Sequence, residues 1–202
     1  MILEGRKGAT RRSVKGYIPD DAVWGYTAFT PKGYISCRGT FADGYGEKFF
    51  KLPCEPGDIL YVRETWHKGL ERYIYRADYS DTEKFYRDGK EIKMKWHPSI
   101  HMPKEAARIW LKVTDVRVER LQDITPKDAE NEGVGNLFYE DIGYSEKNYG
   151  TEVDPEYGIA KEQFAWLWES TVKKSDLDRY GWNANPWVWV IEFERCEKPE
   201  GV

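Results

Sequence analysis

The sequence predicts an α+β chain built mostly from strands, and three observations carry that expectation. Several short apolar or alternating runs, at 59–62, 72–77, 109–121 and 187–194, have strand length and strand periodicity. Only two stretches, 125–133 and 159–174, have helical signals, and turn residues separate the elements throughout.

Gly57 and Asp58 turn the chain into Ile59-Leu60-Tyr61-Val62, which reads as the first of these strands and ends in Arg63-Glu64-Thr65-Trp66. Between 72 and 77, Tyr73, Tyr75 and Ala77 alternate with Arg72, Ile74 and Arg76, as in a strand. The run 109–121 is longer and β-branched, but its apolar parity changes. Ile109, Leu111 and Val113 occupy odd positions and Val116 and Val118 even ones, so a bulge or bend near Thr114-Asp115 is expected. The last run, 187–194, is apolar on both faces at first and should be a central strand.

Thr125, Pro126 and Asp128 form a helix start: a capping hydroxyl, a proline at the first helical position and an acid three residues after the cap. Gly133 should end that helix. In 159–174, Phe164, Leu167, Trp168 and Val172 share a helical stripe, the pattern of core packing, with lysines in the last turn. Residues 17–51 read as hairpins or loops, and 135–158 as a long polar loop, a lid or an edge insertion.

Composition bounds the function classes. A length of 202 residues suits one domain spanning 1–202, with insertions near 17–51, 79–100 and 135–182. Nine tryptophans and fourteen tyrosines supply a core and leave aromatic surface over. Three cysteines without a C-x-x-C pair indicate neither a disulfide framework nor a thiolate zinc site, which fits a reducing, cytoplasmic setting. No apolar run approaches a membrane span, so no membrane partner is expected. A net charge of −4 argues against coating nucleic acid by bulk electrostatics, and any nucleic-acid contact must be local. His97 and His101 have an i, i+4 interval, but Pro98 disfavours a helix there and no metal site is expected. No cofactor is expected either.

The opening stretch EGRKGATRR gathers Lys7, Thr10 and several arginines, a cluster suited to an anionic or nucleotide-like ligand. Its spacing, G-x-K-x-x-T-x-R through Gly5, Lys7, Thr10 and Arg12, resembles the signature of the ASCH family, a branch of the PUA-like superfamily. PGDILYVRETW (56–66), VTDVRVERLQDITPKDAENEG (113–133) and PWVWVIEFERC (186–196) follow in that family's order. KWHPSIHMPKEAARI (95–109) resembles a segment of the larger ASCH-like proteins of phages and prophages.

The resemblance implies a PUA-like β-pseudobarrel, a curved mixed sheet with flanking helices. It also implies a nucleobase or RNA ligand, either a modified nucleoside or single-stranded RNA. Some family members hydrolyse the amide of N4-acetylcytidine, and carried across by motif their catalytic residues are Lys7, Thr10 and Glu132. Thr10 would attack the acetyl carbonyl, Lys7 would take its proton, and Glu132 would orient the lysine or the exocyclic nitrogen. Arg6, Arg12, Arg63, Glu64, Trp66, Trp96 and His101 are the accompanying candidates for substrate or RNA binding. Two alternatives use the same cleft: a non-catalytic RNA-binding module of PUA type, and an ASCH-type ribonuclease with Lys7 and Glu132 as acid and base.

Overall fold

The computed structural model describes residues 2, 3, 5, 7–70, 72–80, 82–87, 89–134 and 158–200. The fold is mixed α+β, mostly strands with few helices, as the alternating runs predict. It divides into two compact units: Met1–Asp58 with Val113–Glu194, and Ile59–Lys112 with Arg195–Val202.

In the first unit, β1 (Ala9–Ser13) pairs antiparallel with β11 (Trp187–Cys196), and β11 lies between β1 and β10 (Trp110–Arg120). The apolar double face of β11 is explained by that central place, since Val188, Trp189, Val190 and Ile191 are all buried. Along β10 the burial changes parity between Val113 and Val116, on either side of Thr114 and Asp115, while the backbone stays one continuous strand.

Helix α1 (Pro126–Asn131) begins as its sequence dictates. The Thr125 hydroxyl accepts from the Asp128 backbone N–H at 3.2 Å, and the Asp128 carboxylate accepts from the Thr125 N–H at 3.2 Å, a closed capping box. It ends in a Schellman turn. Val134 N donates to Ala129 O and Gly133 N to Glu130 O, with Gly133 at φ 90°, where a side chain would be strained.

Helix α2 (Gly158–Thr171) stops short of the predicted end, and the lysines that were expected in its last turn follow it. Phe164 and Trp168 are buried with Leu121, Ile124, Ala129 and Val188, and Val172 packs against them. Leu167, placed on the same stripe by sequence, is 37% exposed, whereas Gln163 is buried. A short helix, α3 (Leu177–Tyr180), follows. The segment 17–51 carries a second sheet, β2 (Val23–Gly25), β3 (Tyr34–Phe41) and β4 (Gly44–Lys51), in that order.

In the second unit, β5 (Ile59–Tyr61) pairs antiparallel with Trp110–Lys112. Hairpins β6 (Trp66–Lys68) with β7 (Tyr73–Tyr75), and β8 (Phe85–Arg87) with β9 (Lys90–Ile92), complete it. β7 is shorter than the run 72–77 because Arg76–Asp78 turns into a 3-10 helix closed by Tyr79 N on Arg76 O. The core there is Met102, Ala106, Ala107 and Trp110, with Tyr61, Trp66, Tyr73 and Tyr75 packed on it. Among the described residues, no helix is long and apolar enough to cross a membrane. Of the predicted polar loop 135–158, residues 135–157 lie outside the described residues.

Candidate functional site: a lysine, arginine and glutamate cluster

Gly8 ties the opening motif to two elements of the first unit. Its N–H donates to Asn131 O at 2.8 Å, at the end of α1, and its carbonyl accepts from Phe193 N at 2.9 Å, on β11. Lys7 is thereby held beside the C-terminus of α1, where a cation is favoured and free carbonyls need donors.

Glu132 caps that helix. Lys7 Nζ donates to the Glu132 backbone oxygen at 2.7 Å and to its carboxylate Oε2 at 2.9 Å. The other carboxylate oxygen, Oε1, accepts from Arg11 Nη1 at 3.3 Å. Both partners of this second pair are shielded, with side chains 1% and 5% exposed, while Lys7 keeps 22% exposure and forms the open edge of the cluster.

Arg11 also reaches Glu119 at 3.3 Å and Asp128 at 3.9 Å, and its guanidinium lies over the Phe164 ring. Arg117 extends the network to Asp115, Glu119 and Glu192. Three cations thus meet five carboxylates, and the cluster as a whole is negative. Burial would raise the Asp128 carboxyl, but hydrogen bonds from the Thr125 hydroxyl and N–H, then Arg11 and Arg117, outweigh it and hold the group below its usual range.

Strand geometry separates the motif residues. Side chains alternate across β1, so Ala9 and Arg11 face the buried side, opposite Glu192 and Val190, and Lys7 has the same parity. Thr10 and Arg12 lie on the other face, opposite Ile191 and Trp189, where Trp24 packs against Trp187 and Trp189. Among the described residues Thr10 makes no hydrogen bond to Lys7. The structure brings Lys7 to Glu132 and does not bring Thr10 to either. Arg12 is exposed, and Arg6 lies outside the described residues.

Five of the candidates belong to the second unit. Arg63 is exposed and donates to Ile100 O at 3.1 Å and to Tyr61 Oη at 3.0 Å. Glu64 accepts two bonds from Arg108, each 2.8 Å, and Asp78 holds the same guanidinium. That double engagement, Glu64 first, raises the Arg108 guanidinium above its ordinary range. Trp66 stacks on His97 with ring centroids 4.9 Å apart and meets Tyr73 edge-on, so it is a packing residue of this unit. Trp96 packs against Tyr79 and Phe85 under Arg76. His101 is exposed in a 3-10 turn, donating its N–H to Pro98 O. A cavity of about 540 Å³ in this unit is lined by Arg108, Trp110, Cys196 and neighbouring residues.

Arg11 pairs with three carboxylates and Arg108 with two, whereas Arg12 and Arg63 make no ion pair among the described residues. Arg11 could have been found from its parity with Lys7 along an extended chain, whereas nothing near Arg108 in sequence announces its partners. Comparison of the chain with family models, curated proteins and solved structures found no match.

Proposed function

We propose that the chain is a nucleobase-binding protein of the ASCH type, a PUA-like pseudobarrel whose Lys7, oriented by Glu132, reads the polar edge of a modified nucleoside. One observation carries this reading: residues far apart in the sequence, each taken from its own motif, meet at 2.9 Å with the lysine partly open to solvent. The partly open Lys7 ammonium can donate to an acceptor on a base edge, while Glu132, 5% exposed and held by both Lys7 and Arg11, orients it. The surplus of carboxylates around them disfavours a phosphate at the same place, which weighs against the ribonuclease alternative.

The placement of Thr10 on the far face of β1 weighs against an acyl-enzyme formed there, since a nucleophile and its base must come within hydrogen-bond reach. Binding without reaction is therefore the better-supported form.

Calorimetry with free N4-acetylcytidine, paired with chromatography of the same mixtures, tests the proposal. Saturable binding that is lost in Lys7→Ala and Glu132→Gln and kept in Thr10→Ala supports it. Release of cytidine and acetate, abolished by Thr10→Ala, would instead restore the Lys/Thr/Glu hydrolase. RNA cleaved by the wild type and spared by Lys7→Ala would restore the nuclease. No heat and no product at millimolar nucleoside would remove the nucleoside reading altogether.

A further inference from the structure

Strand β4 is the last strand of its sheet, and among the described residues one of its two edges has no partner. Leu52, just past its end, donates its N–H to Gly33 O at 2.9 Å, and the register with β3 runs unbroken from Tyr34 opposite Lys51 to Phe41 opposite Gly44. Antiparallel backbone groups alternate in direction. Gly44, Gly46, Lys48 and Phe50 therefore turn theirs toward β3, and Tyr45, Glu47, Phe49 and Lys51 turn theirs outward. Among the described residues nothing takes those outward N–H and carbonyl groups. An edge of 8 residues without proline or bulge is a template for another strand.

The side chains select the strand that fits. Glu47, Phe49 and Lys51 set an anion and a cation at equal distances on either side of a ring that is 38% exposed. Glu47 accepts from the Ser36 hydroxyl, yet among the described residues it has no cation in ion-pair contact, Arg38 opposite it included. The Lys51 side chain makes no hydrogen bond or ion pair there either. Opposite charges placed evenly about a centre complement their own reverse. An antiparallel copy related by a two-fold axis at Phe49 sets Glu47 against Lys51 of the second copy, Lys51 against its Glu47, and the two Phe49 rings side by side. On the other face of the ribbon Lys48 meets Phe50 of the second copy. A two-fold at Glu47 would oppose two carboxylates, and one at Lys48 two ammonium groups, so charge favours the register centred on Phe49.

We infer that the free edge of β4 is a self-association site, where two copies of the chain pair antiparallel through residues 47–51 with Glu47–Lys51 contacts on both sides of Phe49. The pairing joins two three-stranded sheets into one and satisfies the outward backbone groups of both copies. It is isologous, so it closes as a dimer and does not propagate. So short a paired stretch lies at the small end of specific interfaces, and a dissociation constant on the order of 10 µM is expected. The inference is independent of the nucleoside reading, since none of these residues belongs to the Lys7–Glu132 cluster.

Sedimentation equilibrium of the full chain from about 1 to about 300 µM, with circular dichroism as the check of folding, reads the association. Glu47→Lys and Lys51→Glu each set like charges against one another and should weaken the dimer about tenfold or more. Mixing these two variants should restore a heterodimer of about wild-type affinity, because each strand then opposes unlike charges at both positions; a merely structural effect of either substitution would not be rescued this way. Phe49→Pro removes an outward N–H that β3 does not use and should give a folded monomer. Lys7→Ala should leave the association unchanged, which separates this inference from the nucleoside reading. A wild type that is monomeric at about 300 µM overturns the edge, as do charge variants that stay apart when mixed. A dimer lost in Tyr45→Ala but untouched by both charge variants would move the contact to the face of the sheet and overturn it as well.

Discussion

Arg11 and Glu132 are buried together, guanidinium against carboxylate at 3.3 Å, although 121 positions separate them in the sequence. Glu132 is held from one side by Arg11 and from the other by Lys7, and only the lysine is open to solvent. Removing the buried partner leaves an uncompensated charge in the interior. Arg11→Met should therefore cost about 3–5 kcal/mol in urea unfolding. Lys7→Met, at the wetter edge, should cost closer to about 1 kcal/mol. Equal losses would show that the two cations are not arranged as an inner and an outer partner.

Thr10 lies across the strand from this cluster, and its substitution separates the two faces of β1. Thr10→Ala should shift the urea midpoint little and leave the Lys7–Glu132 coupling, measured by a double-mutant cycle, intact. A coupling that falls by half or more in the Thr10→Ala background would place the hydroxyl in the cluster after all.

The ends of α1 make a separate prediction. Thr125→Ala removes the acceptor of the capping box and should cost about 1 kcal/mol. Gly133→Ala forces a side chain into the left-handed region at φ 90° and should cost about 1 kcal/mol or more. Thermal unfolding of the two single variants and the double variant would read both effects. A Gly133→Ala protein as stable as wild type would contradict the turn geometry.

Asp128 sets a pH dependence of known sign. Its carboxyl lies below the ordinary range in the folded chain, so the stability it contributes is present above the unfolded value of about 3.9 and is lost as pH falls through the lower folded value. The stability gap between wild type and Asp128→Asn should stay constant from about pH 7 to pH 5 and shrink below about pH 4. Urea midpoints at several pH values measure it, and a gap that widens on acidification contradicts the assignment.

The cysteines differ in reactivity for a physical reason. Burial, with Asp21 adding to it, pushes the Cys37 thiol up to about 11, and burial pushes Cys54 in the same direction. Cys196 is partly exposed. A thiol-exchange reagent at pH 8 should give one fast phase that Cys196→Ser removes, with Cys37 reacting only when the protein is unfolded. A fast phase surviving in Cys196→Ser would refute this order.

By itself the sequence determined the features that depend on neighbours along the chain. Thr125, Pro126, Asp128 and Gly133 fix both ends of α1 because caps act over three or four residues. The apolar runs fix β5, β10 and β11 because side-chain alternation is a local property. The change of parity at Thr114-Asp115 was legible for the same reason, and so was the central place of β11, from its two apolar faces. What only the tertiary structure decided is which side chains share a face across distant segments. Sequence spacing grouped Lys7, Thr10 and Arg12, whereas the alternation of β1, once anchored by its register with β11, groups Lys7 with Arg11 and sends Thr10 and Arg12 the other way. Likewise Arg108 finds Glu64 and Asp78, and Trp66 finds His97, only through long-range pairing. A strand's period is written in its residues, but the face that becomes the interior is chosen by what packs against it, and that partner lies elsewhere in the chain.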